Sequence, residues 1–211
     1  MTALTWDQPG DRVFETGVDR GVLYLQDGTA VPWNGLTSFE DTTTKETIVS
    51  YKEGVKYLEY NSPGDFSGKL HAFTYPPEFD AVNGIHKPFA GLRVHDQPSK
   101  SFCLSYRTIV GDDIVGVDAA YIIHLLYNII ANPDNTQYTT LGDSITPQEF
   151  AWVLSGKPVM SDAPWRPTSH LSLDSREISS EVLTTLEDLL YGTVSTNPHF
   201  PTIDELSALL S

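Results

Sequence analysis

The sequence predicts a mainly β, antiparallel fold closed by one or two α-helices at its C-terminal end, and three observations predict it. Period-2 alternation of apolar residues recurs through the first two thirds of the chain, as in KLHAFTY and SFCLSYRTI. Glycine, asparagine, aspartate and proline punctuate those segments at turn spacing. A helical apolar stripe stands out clearly only in the tail, so strands and helices are segregated in sequence, as in folds where helices cover one side of an antiparallel sheet.

Taken in order, Arg12 to Thr16 and Gly21 to Gln26 are short strand candidates joined through Gly17-Val18-Asp19-Arg20, and Asp27-Gly28 supplies a turn able to adopt positive φ. Residues 37–53 are a long polar excursion flanked by β-branched sequence, read as an exposed hairpin or long loop. Within KLHAFTY, Leu70, Ala72 and Thr74 alternate against His71, Phe73 and Tyr75 until Pro76-Pro77 stops the strand. Residues 78–100, rich in Gly, Pro and His, read as an irregular connection. Ser101 to Ile109 is a second clear strand, ended by Gly111-Asp112-Asp113. The segment DAAYIIHLLYNIIANP is open between two readings: a helix capped by Asp118 with Ile122, Leu125, Leu126 and Ile129 on one side, or a strand with Tyr121, Ile123, Leu125 and Tyr127 on one face. Phe150, Trp152 and Leu154 alternate as a strand. From Glu177 to Tyr191, Ile178, Val182, Leu186, Leu189 and Leu190 form a helical stripe with Gly192 at its C-terminal side, and Thr202-x-x-Glu205 opens a last short helix over Leu206 to Leu210 with a capping box. The helical segment spans about 177–211.

The chain has 211 residues, of which 40% are hydrophobic and 11% aromatic, which is enough for one substantial core and is unlike a disordered chain. One domain over residues 1–211 is the expectation. The apolar run from Ala119 to Ala131 is interrupted by His124 and Asn128 and falls short of the roughly 20 residues of a membrane span, so no membrane anchor is expected. MTALTWDQPGDR lacks a basic region followed by an apolar run, so no secretory leader is expected either. A single cysteine, Cys103, excludes an internal disulfide and suits a small buried hydrophobe.

Thirteen basic against 28 acidic residues give a formal net charge of −15. That balance argues against binding nucleic acid by neutralising phosphates. It fits solubility through self-repulsion, or a surface that faces an anion without adhering to it.

No chemistry rises from the motifs. Leu141-Gly142-Asp143-Ser144-Ile145 resembles the nucleophile block of some serine esterases, but no Asp-x-x-His follows to supply a base and its orienting acid. A turn before a strand accounts for it. The six histidines, at 71, 86, 95, 124, 170 and 199, include no two at ligand spacing on a common element. Walker, GxGxxG and EF-hand patterns are absent from the sequence. No catalytic residue, cofactor or metal ligand is therefore assigned, and no enzymatic activity is expected.

What does stand out is the order of several bland blocks. LTWDQPGDRVFETGVDRGVLYLQDGTAVPWNGLTS, GVKYLEY, AFTYPPEF, SYRTIVGDD and LEDLLYGT run through nearly the whole chain. Together they resemble the major tail proteins, the tail-tube subunits, of long-tailed phages of actinobacteria. Residues 40–46 and 85–89 match no pattern of that family. The resemblance implies a β-sandwich or partly open barrel with a packed helix, assembling with itself as hexameric rings that stack into a hollow tube for the genome during ejection. It implies as partners further copies of the chain, the tape-measure protein, and the tail-terminator and baseplate proteins of the same virion. DNA would pass without sequence-specific binding, in a virion tail made in the host bacterial cytoplasm. Within the excursion, Phe39, Glu40, Asp41, Thr42, Thr43, Thr44, Lys45 and Glu46 are the candidate intersubunit arm, because polar sequence between β-prone flanks can pair with a neighbour. Two alternatives stand beside this reading: another tail or head–tail component, such as a terminator, distal-tail or decoration protein, and a carbohydrate-binding or esterase domain.

Overall fold

A computed structural model describes residues 4–62, 64–138, 140 and 147–211. The turn-punctuated alternation of the sequence becomes an antiparallel sheet. Its strands are β1 (Phe14–Tyr24), β2 (Ala30–Trp33), β3 (Leu36–Asp41), β6 (Ser67–Ala72), β9 (Phe102–Asp112), β10 (Gly116–Pro133), β11 (Phe150–Gly156) and β12 (His170–Asp174), in the order β2-β1-β9-β10-β11-β6-β3. Two further hairpins stand apart from it: β4 (Thr47–Lys52) with β5 (Val55–Asn61), and β7 (His86–Phe89) with β8 (Leu92–Val94). Two helices follow, α1 (Ser180–Tyr191) and α2 (Ile203–Leu210).

Residues 119–131 are strand. β10 pairs along one edge with β9, and its other edge is shared by β12 at Ile122–Leu126 and by β11 at Ile129–Pro133. Between these partners the ladder slips at Asn128, whose φ of 48° marks a bulge. Ile123, Leu125 and Tyr127 face one core, whereas Leu126, Ile129 and Ala131 face the other. A strand buried on both faces and shifted by a bulge carries apolar residues at helical intervals without being helical, which is why its pattern fitted both readings.

The first core lies inside the curl of the sheet. Leu23, Leu70, Leu104, Leu126 and Leu154 enclose an aromatic nest in which Phe79, from a 3-10 turn at Pro77–Ala81, meets Trp33, Phe102 and Trp152 at ring-centroid distances of 4.5, 5.6 and 5.2 Å. Both buried indoles are satisfied: Trp33 Nε1 donates to Thr74 O and Trp152 Nε1 to Asn83 Oδ1, each at 2.9 Å. The curl brings β3 back against β1, where Leu36 Cδ1 fills the space a side chain at Gly21 would need. The result is a partly open barrel.

The helices cover the outer face. Leu186, Leu190, Ile203 and Leu206 pack on Val22, Tyr24, Ile123, Leu125 and Leu173. Ser179 caps α1, and Thr202 and Glu205 form the expected reciprocal capping box on α2. Tyr24 Oη donates to Leu190 O at 2.7 Å, and Arg107 donates two hydrogen bonds to Asp19, at 2.9 and 2.7 Å, while lying 3.6 Å from Glu187 of α1. No helix among the described residues is long and apolar enough to cross a membrane.

Three expectations are corrected. Arg12–Thr16 and Gly21–Gln26 are not two strands around a turn; the single strand β1 runs through, and Gly17 (φ 66°) and Arg20 (φ 46°) sit at bulges that shift its register on β9. Residues 78–100 are not wholly irregular, since they hold the 3-10 turn and the β7–β8 hairpin. The exposed hairpin is displaced from 37–53 to 47–61, because Leu36–Asp41 pairs with β6 inside the main sheet. Asp27-Gly28 does form the turn expected of it, with Asp27 Oδ1 accepting from Thr29 N–H at 2.9 Å.

Because Leu186 is fully buried between α1 and the sheet, Leu186→Ala is expected to lower unfolding free energy by about 2–5 kcal/mol. Thr202→Ala, which removes only a cap, is expected to cost about 1 kcal/mol. Urea titration of the two variants measures both.

Candidate assembly surface

In β4–β5 every residue is exposed. The turn between the strands puts Glu53 (φ 53°) and Gly54 (φ 77°) at positive φ, the geometry of a tight two-residue hairpin. Register places Ile48, Leu58 and Tyr60 on one face, and Tyr51, Val55 and Tyr57 are also open to solvent, Tyr57 at 75% exposure. An isolated two-stranded hairpin is marginal in water, and contiguous exposed apolar side chains mark an interaction site on a folded protein. The available signal was Glu53-Gly54 between the two apolar-rich runs TIVSYK and VKYLEY.

The candidate arm residues form the base of this hairpin. Phe39, Glu40 and Asp41 belong to β3, with the Phe39 ring stacked on Tyr106 at 4.5 Å. Thr42 N–H donates to Ser67 O at 2.9 Å, Thr42 Oγ1 to Ser67 Oγ at 3.0 Å, and Ser67 N–H to Thr43 Oγ1 at 3.2 Å. Thr44 O lies against Gly64 where a Cβ would otherwise stand. Glu46 O accepts from Ser62 N–H at 2.8 Å, so the two ends of the hairpin lie side by side as it leaves the sheet. Lys45 lines a cavity beside this base. Thr42 and Thr43 thus clamp the base, and the exposed element beyond it is Thr47–Asn61.

The β7–β8 hairpin is held differently. Asp80, 2% exposed, is paired to Lys87 and lies 3.5 Å from Arg93, so a buried carboxylate ties both strands to the 3-10 turn while Phe89 stays open at the tip. Its removal would leave two cations beside an uncharged pocket.

The sheet also gathers a polar cluster that sequence spacing could not show. His124 Nδ1 lies 3.2 Å from His170 Nε2, across the β10–β12 ladder. His124 Nε2 is 3.0 Å from Thr108 Oγ1, which donates to Glu15, and His170 Nδ1 is 3.9 Å from Asp41 Oδ2. The Tyr106 ring stacks on His124 at 4.6 Å. Burial, followed by the neighbouring His170, pushes His124 down to about 4, and burial also lowers His170 against the opposing pull of Asp41. Among the described residues no group of three or more His, Cys, Asp or Glu is placed to hold a metal ion. Ser144 lies outside the described residues.

No family model matches the chain, and no curated protein matches it. Solved structures give loose likenesses, among them the following. The sheath–tube complex of an extracellular contractile injection system, PVC, in the extended state aligns at 13% identity and a TM-score of 0.40, over 74% of this chain and 88% of that chain. The sheath/tube terminator of the same system aligns at 12% and 0.36, over 75% and 98%. The baseplate of the anti-feeding prophage aligns at 11% and 0.35, over 82% and 97%. Likenesses of this size assign no role to the chain.

The histidine pair makes stability depend on pH in a defined window. A histidine whose folded pKa is below the unfolded value near 6.5 binds its proton more weakly in the native state, so stability is full above that value and is lost as pH falls toward the folded pKa. For His124 the loss approaches about 3 kcal/mol between pH 6.5 and about 4. Asp27, Asp112 and Asp134 are held below the ordinary carboxylate value by hydrogen bonds, chiefly from backbone N–H groups, so their contribution is lost only at still lower pH. Urea midpoints measured against pH are expected to fall in this first window for the wild type and to fall less steeply there for His124→Gln, where His170 still contributes.

Proposed function

We propose that the chain is a virion structural protein of a phage tail, a tube subunit that assembles with its own copies into stacked, hexameric rings through which genomic DNA passes. The observation that carries this reading is the β4–β5 hairpin: fully exposed, apolar, detached from the sheet, and anchored at a clamped base. Such an element has no reason to exist in a lone molecule, whereas against a neighbouring copy its backbone and side chains acquire partners. The ordered sequence blocks support the same reading, and one of them, GVKYLEY, is the Gly54 turn and most of the second strand of this hairpin.

The curled sheet supplies what a ring needs. Its end strands leave open edges that identical neighbours cover in a closed assembly. A net charge of −15 suits a conduit for DNA, since like charge at a wall prevents phosphate adhesion and acts only over a Debye length of about 8 Å at physiological salt. The tape-measure protein and the terminator and baseplate proteins of the same virion are the further partners of this reading, with synthesis in the host cytoplasm and residence in the tail. In this reading the chain has a structural role and no enzymatic one.

The experiment follows from the hairpin's closed base. Because Glu46 and Ser62 are already hydrogen-bonded, residues 47–61 can be replaced by a short Gly-Ser turn without touching either core. The shortened protein is expected to melt within a few degrees of the wild type and to form no tubes under negative stain, where concentrated wild-type protein forms rings or tubes. Normal tubes from the shortened chain, or a strictly monomeric wild type at high concentration across several salts, would overturn the reading.

A further inference from the structure

The hydrogen bonds around the two histidines assign their protons. Thr108 Oγ1 gives its hydrogen to the Glu15 carboxylate, which can only accept, so His124 Nε2 carries the hydrogen shared with Thr108. His124 Nδ1 is then bare and accepts from His170 Nε2–H at 3.2 Å. His170 Nδ1 is left without a hydrogen, facing Asp41 Oδ2 at 3.9 Å, so two acceptors oppose each other across a gap. The other oxygen of Asp41 accepts from Thr43 N–H at 2.8 Å, at the first turn of the hairpin base.

We propose that this pair is a proton-operated latch: one proton taken up from solvent at His170 Nδ1 closes the pair onto Asp41 and fixes the base from which the β4–β5 hairpin projects. With that proton, His170 donates from both nitrogens, to His124 and to Asp41, while His124 stays neutral. A second proton, on His124 Nδ1, would break the bond between the rings and set two cations side by side, so it is resisted. Every element around the pair contributes to this order: Glu15 from β1, Tyr106 and Thr108 from β9, His170 from β12 and Asp41 from β3, with the Phe66 ring edge against His170. Lys45 and Arg166 line the cavity beside His170, and Arg176 acts on Glu15 from farther out. Burial lowers His170 and Asp41 pulls the other way, which places the closure on the acid side of an ordinary histidine. The regulatory meaning rests on the hairpin being the assembly surface.

Two measurements on the unassembled chain test the latch itself. In ring-nitrogen NMR of ¹⁵N-histidine-labelled protein, His170 is expected to gain the first proton as pH falls from about 7.5 to about 5, with His124 remaining neutral. Over the same range, amide exchange at Thr43, corrected for its intrinsic pH dependence, is expected to slow by about tenfold. Asp41→Asn keeps an acceptor for Thr43 N–H but deletes the charge, and it is expected to abolish the slowing. The same slowing in Asp41→Asn, first protonation at His124, or no change at Thr43 in the wild type would each overturn the latch. Tube formation by the wild type, scored separately, decides whether the hairpin is the assembly surface; a working latch on a chain that never assembles would sink that reading and leave the latch standing.

Discussion

Two cores lie on opposite faces of one sheet, and the architecture depends on how β10 serves both. Along its length it offers one edge to β9 and divides the other between β12 and β11, so the strand beneath the helices and the strands of the curl meet on it. The bulge at Asn128 sets the phase of its second half. A regular strand keeps strict alternation, and its apolar residues would have stayed in one phase; the slip re-aims Ile129 and Ala131 into the aromatic nest after Ile123, Leu125 and Tyr127 have faced the helices. The same strand positions His124 beside His170, so the bifurcation that builds the fold also builds its polar cluster.

A curled sheet with two ends must dispose of its edges, and the chain does so unevenly. Pro32 blunts β2, which lacks a donor at that residue. The hairpins are a different matter, because they spend apolar side chains on solvent. Burying groups such as Leu58 and Tyr57 against a neighbour stabilises by about 25 cal/mol per Å² of apolar surface. In the free chain that gain is absent, yet the clamp of Thr42, Thr43 and Ser67 already holds the hairpin's base. Ordering before contact lowers the entropic cost of association, which is the thermodynamic sense of a preformed arm.

Local chemistry was legible and long-range register was not. The strands around Leu70, Leu104 and Trp152, the Asp27-Gly28 turn, the α1 stripe and the capping box at Thr202 are each dictated by neighbours in sequence, although β6 stops at Ala72 short of Pro76 and β9 runs on through Gly111 and Asp112. The errors share a cause. Positive-φ residues at Gly17 and Arg20 carry the same signal in a bulge as in a turn, and only pairing with β9 separates the two. Polar composition placed the projecting element at residues 37–53, but Phe39 has its partners in Tyr106 and Phe66, which lie far along the chain or beyond a hairpin. Thr42 and Thr43 lie in the polar excursion, yet both are hydrogen-bonded to Ser67 across the hairpin base. His124 and His170 are brought together by a β10–β12 register that pairs Leu126 with His170, and no spacing in the sequence encodes that.

Charge sets the last constraint on assembly. In the proposed ring, copies each carrying −15 would repel as they approach, and the repulsion would grow with every subunit added. The surfaces that meet must therefore be locally poor in net charge, and the hairpin is: Lys52 and Lys56 offset Glu53 and Glu59, with Lys56 paired to Glu59 and Lys52 over the Tyr57 ring. The acids are thereby concentrated elsewhere on the molecule. Screening at physiological salt confines their field to about 8 Å. In the proposed tube, short-range apolar contact at the hairpins would then prevail over long-range repulsion, while the acidic remainder of the surface would turn phosphates away.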